Sequence, residues 1–597
     1  MANKFASRRN LAFLVEEVFD VAALNQIPYF EDHNEETFKM IIDTAMKISH
    51  EMMFPYFKEM DVKVPYWEDG KVHVHPAIKD FMREMGEGGW IQAEKPYDIG
   101  GQQLPLTIKA VAYFLFGAAN YSMNVYQLLT SGAANLIYEF GTQEMKDLYL
   151  EKMYAGEWQG TMALTEPDVG SSLGDLTTMA EPTEQEYYMI KGKKIFISAA
   201  NSDVAENVIH LMLVRVKGAP SGVPGISLFV VPEQRLNEKG ELEYNDVFCG
   251  GIEHKLGYRG SPICQLSMGD EKNCHGWLLG EEGKGLAQMF KMMNEERINI
   301  GIGAISKISG AYYASLEYAQ ERRQGRNPDQ KNPNEPMVTL IEHADIKRML
   351  LFQRAVMEGA LSLALQVSLY QDYETVNENK AENGMLVDFL IPILKTYPSE
   401  MGVLATSAAI QILGGYGYCG DFPVEQYYRD IRIDPIHEGT TCIQGQDILG
   451  RKVSMKDGQA LALYINEVEK TIAEAKAQPE LAAYVKALED AVQLMKDLTA
   501  ELLSKKSGIS KEAFLADSVL YLDFMSQIAI AWQWLKQMTV AQAALKSGAT
   551  EAAFYQGKIY TGRYFFNYEL TKIESLATRL RSDDKVTVEI TKEYFED

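Results

Sequence analysis

At 597 residues the chain is longer than one hydrophobic core serves, so three or four domains are expected. A formal charge of −25 excludes nucleic acid as a natural partner, because phosphates repel such a surface, and the 46% hydrophobic and 24% charged content is that of a folded soluble protein. The five cysteines, at 249, 264, 274, 419 and 442, form no CxxC pair and no Cys/His cluster; no metal site is expected, and a reducing, cytoplasmic compartment is.

In chain order, residues 1–157 read as an N-terminal α-helical domain. Arg8 and Arg9 precede an apolar run that Glu16, Glu17 and Asp20 interrupt, so no secretory signal is read. Phe38, Ile41, Ile42 and Ala45 share a helical face, and His75-Pro76-Ala77 opens a helix carrying Ile78, Phe81 and Met82. The loop 96–105 is followed by two helices ending near Gly141, and Thr142 opens another. The uncharged run 110–138 is long enough to span a bilayer, but Asn120, Asn124, Gln127, Ser131 and Asn135 recur through it, which predicts buried core helices and no integral membrane segment.

Residues 158–282 change pattern, with short β-branched and aromatic runs between turn residues: TMALTEPDVGSS, EYYMIKGKKIFIS, NVIHLMLVRV, GISLFVVP and QLSM. The run 208–216 is apolar on both faces and predicts a buried strand in a β domain. From 283 to 453 the chain returns to helix, with long segments at 289–322, 340–374 and 386–413, the first carrying Gly301, Gly303 and Gly310 for close helix approach; four antiparallel helices would make a bundle. Residues 454–597 form a further helical region, striped by Leu481, Val485, Leu488, Val492 and Met495, that carries no chemical constellation.

The chemistry gathers in 411–452. Gly414-Gly415 lets backbone approach a ligand closely, and Glu438 stands in a His-Glu-Gly-Thr corner, a carboxylate at a helix break. There is no P-loop and no GxGxxG after a strand, so a dinucleotide held in Rossmann fashion is not expected. The order of α domain, β domain and bundle, with TEPDVGSS at the first junction and Glu-Gly-Thr after the bundle, resembles the acyl-CoA dehydrogenase family over about residues 35–455.

The resemblance implies a mainly α fold with a central β-barrel-like domain and a four-helix bundle, here with an extra C-terminal helical domain. It further implies FAD as cofactor, an acyl-CoA substrate, α,β-desaturation to a trans-2-enoyl-CoA, and electron-transfer flavoprotein as electron acceptor. Such a reaction needs a base at the α-carbon, donors at the thioester carbonyl to hold enolate charge, and a hydride acceptor for the β-hydrogen. Glu438 matches the family's base. Glu296, followed by Arg297, occupies the position from which a minority of the family draws the base, and is the alternative. Leu164, Thr165, Ser171, Phe196, Ser198, Arg322, Gln411, Gly414, Gly415 and Thr440 match cofactor-binding positions; Ser171, His437 and Gly439 match substrate-side positions. Gln324-Gly325-Arg326 departs from the usual Thr-Phe-Gly, and Cys442 stands where several relatives have glutamine. A homodimer is expected, since the C-terminal extension is of a size to cover the face used by tetrameric members. An acyl-CoA oxidase and a non-catalytic acyl-CoA or flavin scaffold are the alternative activities.

Overall fold

The computed structural model describes residues 5–329 and 332–596, and these divide into two compact units: 41–104 with 115–299, and the described residues of 5–40, 105–114 and 300–596. In the first, the helix Ala77–Glu87 buries Ile78, Phe81 and Met82 as their spacing requires. Leu106–Phe140 is broken where Asn120 takes an extended conformation (φ −164°, ψ 94°). There the Asn120 side chain accepts from Met123 N at 3.2 Å, capping the second of the two helices, and donates to Met53 O at 3.3 Å. The polar residues that argued against a membrane span are buried in this core, among them Asn124, Gln127 and Ser131.

Twelve strands are described: β1 (Tyr66–Glu68), β2 (Lys71–His73), β3 (Trp158–Ala163), β4 (Met179–Pro182), β5 (Tyr188–Ser198), β6 (Asn207–Val216), β7 (Ile226–Pro232), β8 (Gln234–Leu236), β9 (Leu242–Tyr244), β10 (Val247–Ile252), β11 (Ile263–Met268) and β12 (His275–Leu278). The main sheet runs β10-β11-β5-β12-β7-β6-β3, and β4 pairs with both β5 and β6, closing β4, β5, β12, β7 and β6 into a ring. That ring is the expected barrel-like feature. β6 is buried at nine of its ten residues, in keeping with its two apolar faces, and pairs parallel with β3 (Thr161 opposite His210) and antiparallel with β7 (Met212 opposite Phe229). The parallel β3–β6 pair sets where the chain leaves β3 into the Thr-Glu-Pro loop.

In the other unit the helices Ala344–Thr375 and Lys380–Leu413 pack together, Lys380–Leu413 also meets the shorter Thr441–Gly450, and Gly285–Glu321, from residue 300 onward, lies against Lys380–Leu413 at Gly301. Glycines set the approach: a Cβ on Gly301 would lie 2.5 Å from Leu394 O, and one on Gly310 would strike the Tyr427 ring. Leu394 O is the carbonyl that Pro398, lacking an N–H, leaves without its helical donor, so the two prolines of Lys380–Leu413 sit within a continuous helix whose freed carbonyl faces a glycine. The C-terminal helices belong to this same unit. Lys511–Lys546 is long and apolar enough by composition to cross a membrane, and its helix Ser518–Lys546 is largely buried, with Trp532 and Trp534 fully so and Trp534 Nε1 donating to Ala355 O at 2.9 Å. Lys558 adds a buried polar tie, donating to Glu358 Oε2 at 2.8 Å while Arg354 Nε meets Glu358 Oε1 at 2.8 Å.

Candidate active site

In the helical unit the chain leaves Val424–Ile431 through a series of turns and reaches a corner of two successive left-handed residues, Glu438 (φ +52°) and Gly439 (φ +86°). Glycine adopts this conformation freely, but a glutamate held there is strained by roughly 1–2 kcal/mol. Thr440 follows as N-cap of Thr441–Gly450, its Oγ1 accepting from Ile443 N at 3.3 Å. Glu438, Gly439 and Thr440 are half-buried, and the carboxylate stands on an unwound segment at a helix start. His437 turns back to the protein, its Nε2 3.3 Å from Asp434 Oδ1.

A second cluster joins residues far apart in sequence. Arg322, Gly414 and Gly415 line one pocket of about 590 Å³ with Tyr318, Leu340, Tyr416 and other neighbours. Arg322 lies just past the end of Gly285–Glu321, and Gly414, at φ +60° and ψ −135°, terminates Lys380–Leu413 in a conformation only glycine takes readily. Residues 322–325 are paired to 338–340: Gln324 N donates to Val338 O, Val338 N to Gly325 O and Leu340 N to Arg322 O. The two neighbouring arginines are engaged within that loop, Arg323 to Met337 O at 2.9 Å and Arg326 to Glu335 O and Pro333 O at 2.6 Å each. Among the described residues the Arg322 guanidinium has no ion-pair or hydrogen-bond partner, which leaves it free for an anion in the pocket. Gln411 is exposed one turn earlier, and its carbonyl accepts from Gly414 N. A Cβ on Gly414 or Gly415 would meet nothing within 4 Å, so both present bare backbone to open space.

In the sheet unit, Leu164 and Thr165 follow β3 and are tied to β5 by Ile195 N donating to Thr165 O at 3.0 Å. Phe196, 58% exposed, and Ser198 come from the end of β5, Phe196 at φ +61°; Ser171 is exposed in the loop beyond Thr165. The sequence reading passed over what holds this loop. Glu166 is buried and accepts from Thr177 N (2.7 Å), Thr177 Oγ1 (2.6 Å), Thr178 N (3.0 Å) and Lys194 Nζ (3.0 Å). Lys194 Nζ, fully buried, donates also to Leu164 O at 2.9 Å and Leu213 O at 2.8 Å. Burial alone would raise the Glu166 carboxyl, but the Lys194 charge and the threonine donors outweigh it and hold it at about 2; burial brings Lys194 down to about 8. The sequence carries no signal for it: Lys194 stands beside Lys191 and Lys193 in β5 and reads as one more surface lysine.

Glu296 and Arg297 lie on the same unit, in Gly285–Glu321. Glu296 is buried, accepts from Asn299 Nδ2 at 3.4 Å, and lies against Gly132, where a Cβ would come within 3.3 Å of its Oε1. Arg297 donates to Asn294 Oδ1 at 3.1 Å, with its guanidinium 5.7 Å from the Phe290 ring centroid. Among the described residues no group of His, Cys, Asp and Glu is placed to hold a metal ion, and the cysteines are unpaired thiols.

Comparison with known proteins places four consecutive family matches on the chain. They are the acyl-CoA dehydrogenase N-terminal domain over 35–157, the middle domain over 161–270, the C-terminal domain over 283–453, and an acetyl-CoA dehydrogenase C-terminal-like domain over 464–591. A butyryl-CoA dehydrogenase of Syntrophomonas wolfei is 33% identical, with 99% of each chain covered. A 3-methylmercaptopropionyl-CoA dehydrogenase of Ruegeria pomeroyi is also 33% identical, over 96% of this chain and 97% of that one. Among solved structures, an acyl-CoA dehydrogenase of Bacillus anthracis complexed with FAD shares the fold at a TM-score of 0.72 and 22% identity, covering 98% of this chain and 93% of that one.

Proposed function

The chain belongs to the acyl-CoA dehydrogenase family, and from that premise we propose that it converts an acyl-CoA thioester to the trans-2-enoyl-CoA with FAD as cofactor and Glu438 as base. The observation that carries this reading is the Glu438 corner: a carboxylate kept in a strained left-handed conformation at the start of a helix, where strain is retained for function rather than for packing. The residues fit FAD. Arg322, without a protein partner and in a pocket rimmed by the bare backbone of Gly414 and Gly415, has the chemistry for its pyrophosphate. Leu164, Thr165, Ser171, Phe196, Ser198, Gln411 and Thr440 are assigned to the cofactor with it. When bound, FAD accepts the β-hydrogen as hydride.

The chain's own part is acid-base and positional. Glu438 takes the α-proton, the C–H electron pair passing into the new α,β double bond as the β-hydrogen leaves, and the Glu438 N–H donates to the thioester carbonyl where enolate charge develops. Glu296 is the weaker candidate for base, because it is buried on a regular helix, engaged by Asn299 and packed on Gly132. Arg297 is assigned to orient the carboxylates at the site, His437 and Gly439 to the substrate side, and electron-transfer flavoprotein to carry electrons away from a homodimeric enzyme. Butyryl-CoA and 3-methylmercaptopropionyl-CoA, named for the full-length relatives, head the substrate panel.

Anaerobic mixing of the holoprotein with each thioester tests the reading by loss of the oxidised flavin spectrum. Glu438→Gln is expected to slow that loss by about 10²–10⁴, the usual contribution of a general base. Normal reduction in Glu438→Gln together with its loss in Glu296→Gln would reassign the base, and no bleaching by any acyl-CoA would refute the activity.

A further inference from the structure

The corner that presents Glu438 is bound by two buried lysines to which the reaction gives no task. Lys395 stands in Lys380–Leu413 between Pro392 and Pro398, fully buried, and its Nζ donates to Asp434 O at 2.7 Å and Gly439 O at 2.8 Å. These two carbonyls bracket the segment Pro435, Ile436, His437 and Glu438, so one side chain closes it into a ring with Glu438 at its exit. The Asp434 carboxylate, also fully buried, receives Lys307 Nζ at 2.8 and 2.9 Å and lies 3.3 Å from His437 Nε2. Gln444 Nε2 approaches Glu438 O and Gly439 O at 3.4 and 3.5 Å, and Thr441 N donates to Pro435 O at 3.1 Å.

Burying amines and a carboxylate costs desolvation that apolar residues of the same size avoid, so such a group is poorly explained as a source of stability. It is well explained as a constraint on main-chain path. Lysine has three donors and no acceptor, and carbonyls are what it seeks once buried. A glutamate at φ +52° relaxes toward ordinary helical or extended backbone unless its surroundings over-determine it. Tying the carbonyls on either side of it supplies such a constraint.

We propose that Lys395 is the positioning residue for Glu438: through the carbonyls of Asp434 and Gly439 it holds the left-handed Glu438-Gly439 corner, and Lys307 anchors the other end of the ring through the Asp434 carboxylate. The consequence for catalysis rests on the reading of Glu438 as base; the consequence for the corner does not. Hydrogen exchange read by mass spectrometry on the holoprotein is the deciding measurement, with Lys395→Met, Lys307→Met and Glu438→Gln compared to the wild type. Lys395→Met is expected to raise amide exchange in 434–444 by at least about tenfold while peptides of 459–581 stay protected, as for a local opening. With butyryl-CoA its flavin reduction slows by about a hundredfold, the effect of a reacting group displaced by an ångström, while FAD content and KM stay within about threefold.

Lys307→Met gives the same pattern more weakly and serves where Lys395→Met fails to fold. Glu438→Gln gives the opposite pattern, with reduction lost and exchange unchanged. Wild-type exchange in 434–444 for both lysine variants overturns the proposal, and so does exchange raised equally over the whole unit, which marks a general structural role. If Glu438→Gln reduces normally while Lys395→Met opens the corner, the base assignment falls and the positioning role stands.

Discussion

Glu166 offers the sharpest quantitative test, because one substitution removes the counter-ion of a fully buried lysine. Its carboxyl is held at about 2 against an ordinary 4.5, a displacement of about 2.5 units, or ~3 kcal/mol at 1.36 kcal/mol per unit. A folded-state value below the unfolded one means the stabilisation is fully present above pH ~4.5 and is lost as pH falls toward 2. Glu166→Gln keeps the shape, still accepts from Thr177 or Thr178, and leaves Lys194 with Leu164 O and Leu213 O alone. Breaking a buried pair by one partner costs about 3–5 kcal/mol, but Lys194, already brought down to about 8, sheds its proton more readily without Glu166, so the lower end is expected.

The assay is native-state hydrogen exchange of peptides within 164–178 in the holoprotein, since a chain of two compact units does not unfold in one step. Exchange at pH 7 should rise on the order of a hundredfold in Glu166→Gln, the equivalent of ~3 kcal/mol. The variant's deficit should shrink as pH falls below ~4.5, where the carboxyl of the opened state protonates while the folded one, held at about 2, is still ionised. Glu166→Gln combined with Lys194→Met removes the stranded charge and should recover much of the loss. Wild-type protection of 164–178 in Glu166→Gln at pH 7, or a deficit independent of pH, refutes the account of this pair as the clasp of the Thr-Glu-Pro loop.

Three further outcomes follow from individual contacts. Arg322→Met, which removes the partnerless guanidinium from its pocket, should weaken FAD binding to apoprotein by about 10- to 100-fold, as expected for a charged hydrogen bond of ~1.5–3 kcal/mol, with Arg322→Lys intermediate in a fluorescence titration. Gly414→Ala places a side chain in open space but in a φ +60° conformation, so a loss of about 1–2 kcal/mol in thermal stability should come from backbone strain alone. Gly301→Ala drives a Cβ to 2.5 Å from Leu394 O, and forcing those helices apart should cost about 1–3 kcal/mol, read as a lower melting temperature with the flavin spectrum retained.

What could be read from the sequence was whatever depends on periodic side chains. The buried strand expected at 208–216 is β6, Asn207–Val216, and Thr142 caps Gln143–Tyr154 as its residue type foretold. The third long helix begins at Lys380 rather than 386, because its first turn is polar and exposed and carries no apolar signature. The strands β4, β10 and β12 are short and weakly patterned, and exist because β5, β6, β7 and β11 offer edges to pair with. The hairpin of β1 and β2 does carry a local signal, Asp69-Gly70, both at positive φ between antiparallel strands. At the site, Arg322 joins Gly414 and Gly415 in one pocket, and Lys194, Lys307 and Lys395 look in sequence like ordinary surface lysines.

The reason Lys194 and Lys395 are invisible in the sequence is also what they have in common. Lys194 and Lys395 both donate to main-chain carbonyls, Leu164 and Leu213 for one, Asp434 and Gly439 for the other, and every residue type supplies a carbonyl, so no partner pattern is written in the side chains. Each is associated with a buried carboxylate: Glu166 binds Lys194 directly, and Asp434, whose carbonyl Lys395 binds, takes Lys307 on its side chain. Each also stands beside a non-glycine residue at positive φ that belongs to the candidate site, Phe196 two residues after Lys194 and Glu438 next to the Gly439 carbonyl that Lys395 holds. A buried amine that grips backbone fixes the path of the chain without depending on the neighbouring side chain's identity. It predicts that strain and buried lysine should be lost together when either is replaced.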